Sequence, residues 1–397
     1  FASCGRPAFF MADYVNETPF RIAARFAAFY GALFLVLGVM LPFWPVWLKS
    51  RGLDAGQIGL VLAIGPWLRV IADPLITRGV DRSGHGKRAL VLFAAISVVA
   101  FSGFFLAQSF WLIVLVTIIF APIYHVLIPL GDSQTMVAVV RDKLDYGRIR
   151  LWGSATFIAG TFGAGWLLTD RTPDVIVPVV FTGLLLVLAT TLLLREQNAP
   201  ARGRPTGGFL DLLRDRAFLY FVLAASAVQA SHAVLNGFSV IHWREAGLSG
   251  TLIACLWGGS VVAEIILFSV SGAVVRRLGP FGLLGLGAGA GLVRWIILAE
   301  TTALPGLIVA QLLHAATFGA TYLATMHFIA ARAPDGLKAS AQGTYASVSG
   351  VVMGIAMLSA GAMYGALGGD AFYAMSLVCV LALLLGLAAR RAATGGA

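Results

Sequence analysis

The 397 residues are 59% hydrophobic and only 12% charged, with a mean hydropathy of +0.89, which excludes an ordinary water-soluble domain. A net charge of +10 would suggest nucleic acid if it formed a patch, but the basic residues are scattered between long apolar stretches. Lipid, not nucleic acid, is the expected surrounding. Only helices or a closed barrel satisfy their backbone polar groups in hydrocarbon, and these stretches lack a barrel's alternation, so an all-α membrane fold is expected.

Residues 1–20 read as an N-terminal tail that opens on Phe1, with Met11 a candidate start. The first apolar run, 22–48, is too long for a signal-peptide core and no small-residue cleavage site follows it, so it is expected to be retained. Further spans are expected at 56–77, 88–108, 110–139, 147–169, 174–194, 217–241, 251–275, 281–299, 304–331, 340–366 and 371–389. A helix of about twenty residues crosses a hydrocarbon core roughly 30 Å thick. With both termini placed in the cytoplasm, 22 of the 28 Lys and Arg gather on the inner side, counting Arg25, Arg88, Arg148 and Arg150 at the inner ends of their spans. Lys49, Arg51, Arg171 and Arg244 fall outside and Arg69 and Arg294 within spans, which is the positive-inside pattern of a multi-pass protein.

The loop after the second span holds Asp81, Arg82 and Gly84, followed by basic residues, and starts at Thr77. Pro122 and Pro129 predict a kink in the fourth span. The Pro-, Gly- and Arg-rich segment 196–216 reads as a cytoplasmic linker between two six-helix halves, 21–195 and 217–390, with 391–397 as a tail. Cys4, Cys255 and Cys379 are too scattered for a disulfide frame or a metal cluster.

Five ionisable residues sunk within spans, Arg69, Asp73, Asp132, Glu264 and Arg294, would together cost on the order of 12 to 18 kcal/mol if left unpaired. They are therefore expected to be paired, neutralised or facing water. Residues equidistant from a connecting turn lie level in an antiparallel helix pair. Counting from Gly279, Leu304 and Leu248 brings Glu264, Arg294, His314 and His232 to one depth, and counting from Arg141 sets Asp132 opposite Arg150. Each half thus offers an acid–arginine pair. Polar faces at helical spacing run through Gln311, His314, Thr317, Thr321 and Thr325, through Ser226, Gln229, His232 and Asn236, and through Arg150, Ser154, Phe157 and Thr161. These faces are expected to line a water-filled chamber. Against this, Arg69 and Asp73, four apart on one helix, are placed to neutralise each other, and His125 is expected as a packed core histidine.

The segments LeuProPheTrpProValTrpLeuLys (41–49), AspTyrGlyArgIleArgLeuTrpGlySer (145–154), ValValAlaGluIleIleLeuPhe (261–268), ValArgTrp (293–295) and LeuHisAlaAlaThrPhe (313–318) carry a resemblance to the 3-phenylpropionate permeases of the major facilitator superfamily. More distantly, the chain is similar to proton symporters of the lactose permease type. The likeness runs from about residue 20 to about 390. It implies a bacterial inner-membrane location, a loop at Asp81 and Arg82 that latches the inner helix ends, with Arg69 and Asp73 as further gating or structural charges, and no cofactor, the proton gradient driving uptake. It implies a substrate site at Asp132 and Arg150, with Phe157 where the sugar symporters stack a ring on the substrate, and a proton-coupling cluster of Glu264, Arg294 and His314. Thr317 stands where the sugar symporters carry a carboxylate, which makes Glu264 the expected proton carrier, aided by His314 and His232.

The resulting expectation is proton-coupled uptake of a small aromatic carboxylate. Arg150 or Arg294 would grip the anion through two parallel hydrogen bonds. Trp44, Phe157 and Trp257 would supply apolar or stacking walls, and Asn236, Gln311 and Thr317 polar contacts. A proton symporter of a neutral solute, a sugar or a nucleoside, remains open as the alternative. Enzyme or sensor function is not expected, since the sequence shows no zinc-protease His–Glu motif, phosphate-cradling loop, nucleophile elbow or soluble signalling domain.

Overall fold

A computed structural model describes residues 18–197, 212, 214–334 and 337–394. Met11, Cys4 and most of the expected linker lie outside the described residues. Among those described, the regular structure is helical throughout, in fifteen α-helices joined by short turns. The first seven are α1 (Pro19–Ser50), α2 (Ala55–Ser83), α3 (Gly86–Ser102), α4 (Phe110–His125), α5 (Leu127–Asp142), α6 (Tyr146–Asp170) and α7 (Ile176–Leu193). The rest are α8 (Arg216–Ala230), α9 (Ala233–Glu245), α10 (Gly250–Ser269), α11 (Ser271–Glu300), α12 (Leu304–Leu312), α13 (Thr321–Arg332), α14 (Lys338–Leu367) and α15 (Ala371–Thr394).

Local chemistry sets many of the boundaries. The Asp54 side chain accepts from the Gln57 N–H at 2.8 Å while Gln57 returns a bond to the Asp54 N–H, and Ser109, Asp145 and Ser249 cap α4, α6 and α10. Such a cap stabilises a helix by about 1 kcal/mol. Gly84 ends α2 at φ 68, a left-handed conformation that costs a side-chain-bearing residue more than glycine. Gly279, the turn used to align Glu264 with Arg294, interrupts α11 at φ 61 and ψ 177.

Ten stretches among the described residues are long and apolar enough to cross a membrane. Ser340–Thr394 counts there as one stretch although it holds both α14 and α15, and α6, which carries Arg148 and Arg150, is not among the ten. Large apolar side chains such as Leu92, Val99, Trp111, Leu377 and Leu384 lie on the outside. Hydrocarbon, unlike water, imposes no cost on that surface.

Three expected spans are broken near their middles. The Pro122-bearing fourth span parts between His125 and Leu127, the seventh at Ser231–His232, and the tenth at Leu313, after which Ala315–Ala320 form a π-helical turn. The kink expected from Pro122 and Pro129 is present. At the break in the seventh span a side chain takes up a freed carbonyl: the Ser231 hydroxyl donates to the Val228 carbonyl at 2.7 Å.

Contacts between the helices before and after the expected linker run from the middle of the bundle, where a Cβ on Gly350 would meet Val70 Cγ2 at 2.9 Å, to the end far from Pro19 and Thr394. There α6 meets α10 so closely that a Cβ on Gly250 would lie 2.2 Å from the Gly165 carbonyl oxygen, and a Cβ on Gly59 2.8 Å from Gly361 Cα. Thr169 and Thr251 share a hydrogen bond of 3.2 Å, and Lys49 forms an ion pair with Glu245. At the opposite end Asp215 caps α8 through the N–H groups of Ala217 and Phe218 and takes two bonds from Arg332, at 2.7 and 3.1 Å. Partial burial pushes the Asp215 carboxyl up, but the bonds from Arg332, Phe218 and Ala217 outweigh it and hold the group below the usual carboxylate range.

Candidate functional site

The second set of helices builds its site around one arginine. Arg294 on α11 is wholly buried, and its guanidinium donates to the Thr317 hydroxyl at 2.9 Å and the Gln311 side-chain oxygen at 2.9 Å. It also lies 3.1 Å from His232 Nε2 and 3.2 Å from His314 Nδ1. All four partners are uncharged acceptors when both imidazoles are neutral, a ring of dipoles that replaces the water a guanidinium would otherwise hold. The partners are themselves positioned: His232 Nδ1 faces the carbonyls of Val228 and Gln229 freed by the helix break, and the Gln311 amide donates to the Leu256 carbonyl at 3.1 Å.

Glu264 stands one step away. Its carboxylate lies 3.7 Å from His314 Nε2, and among the described residues it forms no ion pair with Arg294. The depth assignment for Glu264, Arg294, His314 and His232 thus brings the right four groups together. The acid–arginine contact expected within that set is relayed through an imidazole instead, because His314 occupies the space between them. The π-helical turn presses on the same place: a Cβ on Gly319 would meet Leu267 Cδ2 at 3.0 Å and Glu264 Cγ at 3.5 Å.

In the first set of helices, Asp132 and Arg150 also come close without pairing. The Asp132 carboxylate accepts the phenol hydrogens of Tyr30 at 2.5 Å and Tyr146 at 3.0 Å. Arg150 instead lies over two rings, its guanidinium carbon 4.8 Å from the centroid of Tyr30 and 4.1 Å from that of Phe34. Tyr30 therefore separates the two charges, with its hydroxyl on the acid and its ring face under the cation. Such a cation–aromatic contact stabilises an exposed guanidinium by about 0.5–1 kcal/mol and leaves its donors free.

Tyr322 of α13 is 44% exposed and has Phe268 of α10 as a ring neighbour at 6.3 Å. Sequence reasoning passed over Tyr322 because it sits off the α-helical stripe through His314. The π turn adds a residue per bond and so advances the register of everything after it. Tyr30, Phe34 and Tyr146 were missed for another reason, since aromatic residues in apolar spans carry no sequence signal that separates a charge partner from packing.

The polar stripes depart from the expected wet faces. Thr317, Thr321 and Thr325 have no exposed surface, Ser226 has none, and Gln229 and His232 are nearly as buried. They pack inside the second set of helices, partly bonding to backbone, as the Thr325 hydroxyl does to the Thr321 carbonyl at 2.8 Å. Of these residues Thr317 and His232 reach Arg294, while the Ser226 and Thr321 hydroxyls are buried without a partner.

Among the other expected site residues, Phe157 is buried where its carbonyl would meet a Cβ on Gly38 at 2.2 Å. Trp44 stacks on Trp47 at 4.5 Å and lies edge-on to Phe104 at 4.8 Å, within an aromatic cluster of the first set of helices. Trp257 is buried with its indole N–H unpartnered, and Asn236 is half-buried one turn from His232. Arg69 and Asp73 form the expected intrahelical pair at 3.3 Å, while one Asp73 oxygen is buried without a partner. His125 is packed against Gly65, and Asp81 and Arg82 are exposed at the end of α2. No group of three or more metal-ligating side chains occurs among the described residues.

The profile of the MFS_1 like family matches residues 23–375. The sequence is 35% identical to the "Probable 3-phenylpropionic acid transporter" of Escherichia coli (strain K12) over 366 residues, 90% of this chain and 95% of that protein. It is 25% identical to the maltose permease of Geobacillus stearothermophilus over 331 residues, covering 81% of this chain and 82% of that one. Among solved structures, the nucleoside transporter NupG aligns with a TM-score of 0.78 at 14% identity, over 94% of this chain and 98% of its own. A bacterial homolog to the human lysosomal transporter Spinster, in an inward-facing and unoccupied conformation, gives 0.71 at 17% identity, over 94% and 98%. At such identities the structural likeness carries the fold alone. These proteins are transporters and not enzymes.

Proposed function

Since the chain belongs to the MFS_1 like family, a family of membrane transporters, we propose that it takes up a small aromatic carboxylate together with a proton by alternating access. The family assignment agrees with the resemblance read from the sequence, and the relative at 35% identity, named for 3-phenylpropionic acid, supports the substrate class. In this reading α1–α7 and α8–α15 are six-span halves of a twelve-span carrier with cytoplasmic termini, in a bacterial inner membrane. α6 and the two helices within Ser340–Thr394 complete the count.

The observation that carries the proposal is the state of Arg150. Its guanidinium rests on Tyr30 and Phe34 while the nearby acid is held by two phenols. A carboxylate entering here meets a planar cation with unused donors, able to make two parallel charge-assisted bonds, and finds aromatic rings for its apolar part. Arg294 has most of its donors engaged and no exposed surface, which favours a fixed role beside the proton site. Glu264 carries the proton, with His314 between it and the Arg294 charge.

The contacts between the halves at the end far from Pro19 and Thr394 correspond to a carrier closed on its outer side. Coupling arises if proton and anion each favour binding of the other, so that the fully loaded and empty forms reorient and the half-loaded ones do not. One proton with one monoanion moves no net charge. Each pH unit then contributes about 1.4 kcal/mol to accumulation, and membrane voltage nothing.

Purified protein in liposomes tests this: labelled 3-phenylpropionate accumulates when the outside is acidic, and a protonophore abolishes the accumulation. Voltage-responsive uptake of a sugar or nucleoside, with no uptake of carboxylate, would replace this reading with a neutral-solute symporter.

A further inference from the structure

Tyr30 holds a position that the transport reading does not by itself explain. Its hydroxyl is bound to Asp132, its ring lies under Arg150, and it stands edge-on to Tyr146 at 6.5 Å, whose hydroxyl ends on the same Asp132 oxygen. The phenol has one hydrogen to give. Thr135, its other neighbour at 3.2 Å, already donates to the Gly131 carbonyl at 2.8 Å and offers only an acceptor oxygen. Both phenol hydrogens are therefore available to one carboxylate oxygen, in surroundings where charge-assisted bonds are stronger than in water.

Without those donors, Asp132 would have one strong partner within the same cluster. An arginine and a carboxylate on neighbouring helices, both against the same tyrosine, are placed to close into a bidentate pair when nothing else satisfies the acid. The pair would be neutral, with the arginine's fork filled, a surface fit for hydroxyl groups and poorly fit for an anion.

We propose that Tyr30 and Tyr146 are specificity-determining residues: by occupying Asp132 they keep it from closing on Arg150, and so reserve the guanidinium for an anionic substrate. This rests on the carboxylate reading above and deepens it. The tyrosines act through Asp132 and are positioning residues. Tyr30 has a second role, since its ring supports the cation at 4.8 Å without taking up its donors.

The test is affinity for 3-phenylpropionate, measured by titration calorimetry on purified full-length carrier. Replacing both phenols, Tyr30→Phe with Tyr146→Phe, leaves the rings in place and is expected to weaken binding about ten- to hundredfold as Asp132 turns to Arg150. Adding Asp132→Asn removes the competing charge and is expected to return affinity to within about threefold of the native carrier. A structural role for the hydroxyls would not produce that rescue. Should the double variant fail to fold, Tyr146→Phe alone, with and without Asp132→Asn, gives the same comparison at smaller amplitude. Undiminished affinity without the hydroxyls overturns the inference while leaving the carboxylate reading intact. Weakened affinity that Asp132→Asn does not rescue overturns it too. Failure of the native carrier to bind any small carboxylate overturns the transport reading itself, and this inference with it.

Discussion

The two arginines of the central region are handled in opposite ways. Arg294 is wrapped by His232, His314, Gln311 and Thr317 and has no exposed surface, whereas Arg150 lies on aromatic faces beside an acid that is bound elsewhere. In the first case the surrounding dipoles take up both terminal nitrogens of the cation and leave only its buried Nε without a partner. In the second the rings leave the cation's donors unfilled. Depth in the membrane therefore says little about what an ionised side chain does, and the chemistry of its neighbours says much more.

That contrast breaks most visibly through stability. Arg294→Ala would strip a common donor from three buried acceptors and the partly buried His314 and leave a void, at a cost of about 3–5 kcal/mol, and is expected to yield little folded carrier. Arg150→Ala loses only ring contacts, about 1 kcal/mol. Melting of both variants in detergent checks this: equal destabilisation would erase the distinction drawn between the two sites.

Transport sharpens it further. Glu264→Gln is expected to preserve exchange of internal for external 3-phenylpropionate, since reorientation of the loaded carrier needs no titration there, while abolishing accumulation driven by an acidic exterior. Retained pH-driven accumulation would remove Glu264 from the coupling role.

Much of this arrangement was legible in the sequence, and the limits of what was legible are physical. Counting residues from Gly279, Leu304 and Leu248 placed Glu264, Arg294, His314 and His232 together because α-helices rise by a fixed amount per residue, so depth follows from number. Rotation about the helix axis is less secure. The π turn at Ala315–Ala320 shifts the face of every later residue in its span, which hid Tyr322. The direct acid–arginine pairs expected at Asp132–Arg150 and Glu264–Arg294 failed for a different reason: a depth argument says which groups are level, and nothing about a ring or hydroxyl standing between them. Tyr30 and His314 are those intermediaries. The span boundaries were easier, because a long apolar run bounded by charged or turn-forming residues marks a membrane helix by composition alone.

The smallest expected effect lies away from both arginines, at Asp215. Its carboxyl is held below the usual range by Arg332 and two backbone N–H groups, so its contribution to stability is present above the unfolded carboxylate value, about pH 4, and is lost as pH falls through the lower folded value. Being partly exposed and screened, it is expected to contribute about 1 kcal/mol or less. Asp215→Asn should flatten the acid side of the melting profile by that amount while leaving affinity for carboxylate unchanged. A loss of affinity would tie this end of α8 to the central site.

The most direct test of the central claim is binding of 3-phenylpropionate to purified native carrier and to Arg150→Ala, both shown to be folded by their melting curves. With Arg150 as the anion's anchor, the variant should bind at least tenfold more weakly, the equivalent of about 1.4 kcal/mol or more. Equal affinity in the two proteins would contradict that assignment and move the search for the anion's partner to another residue.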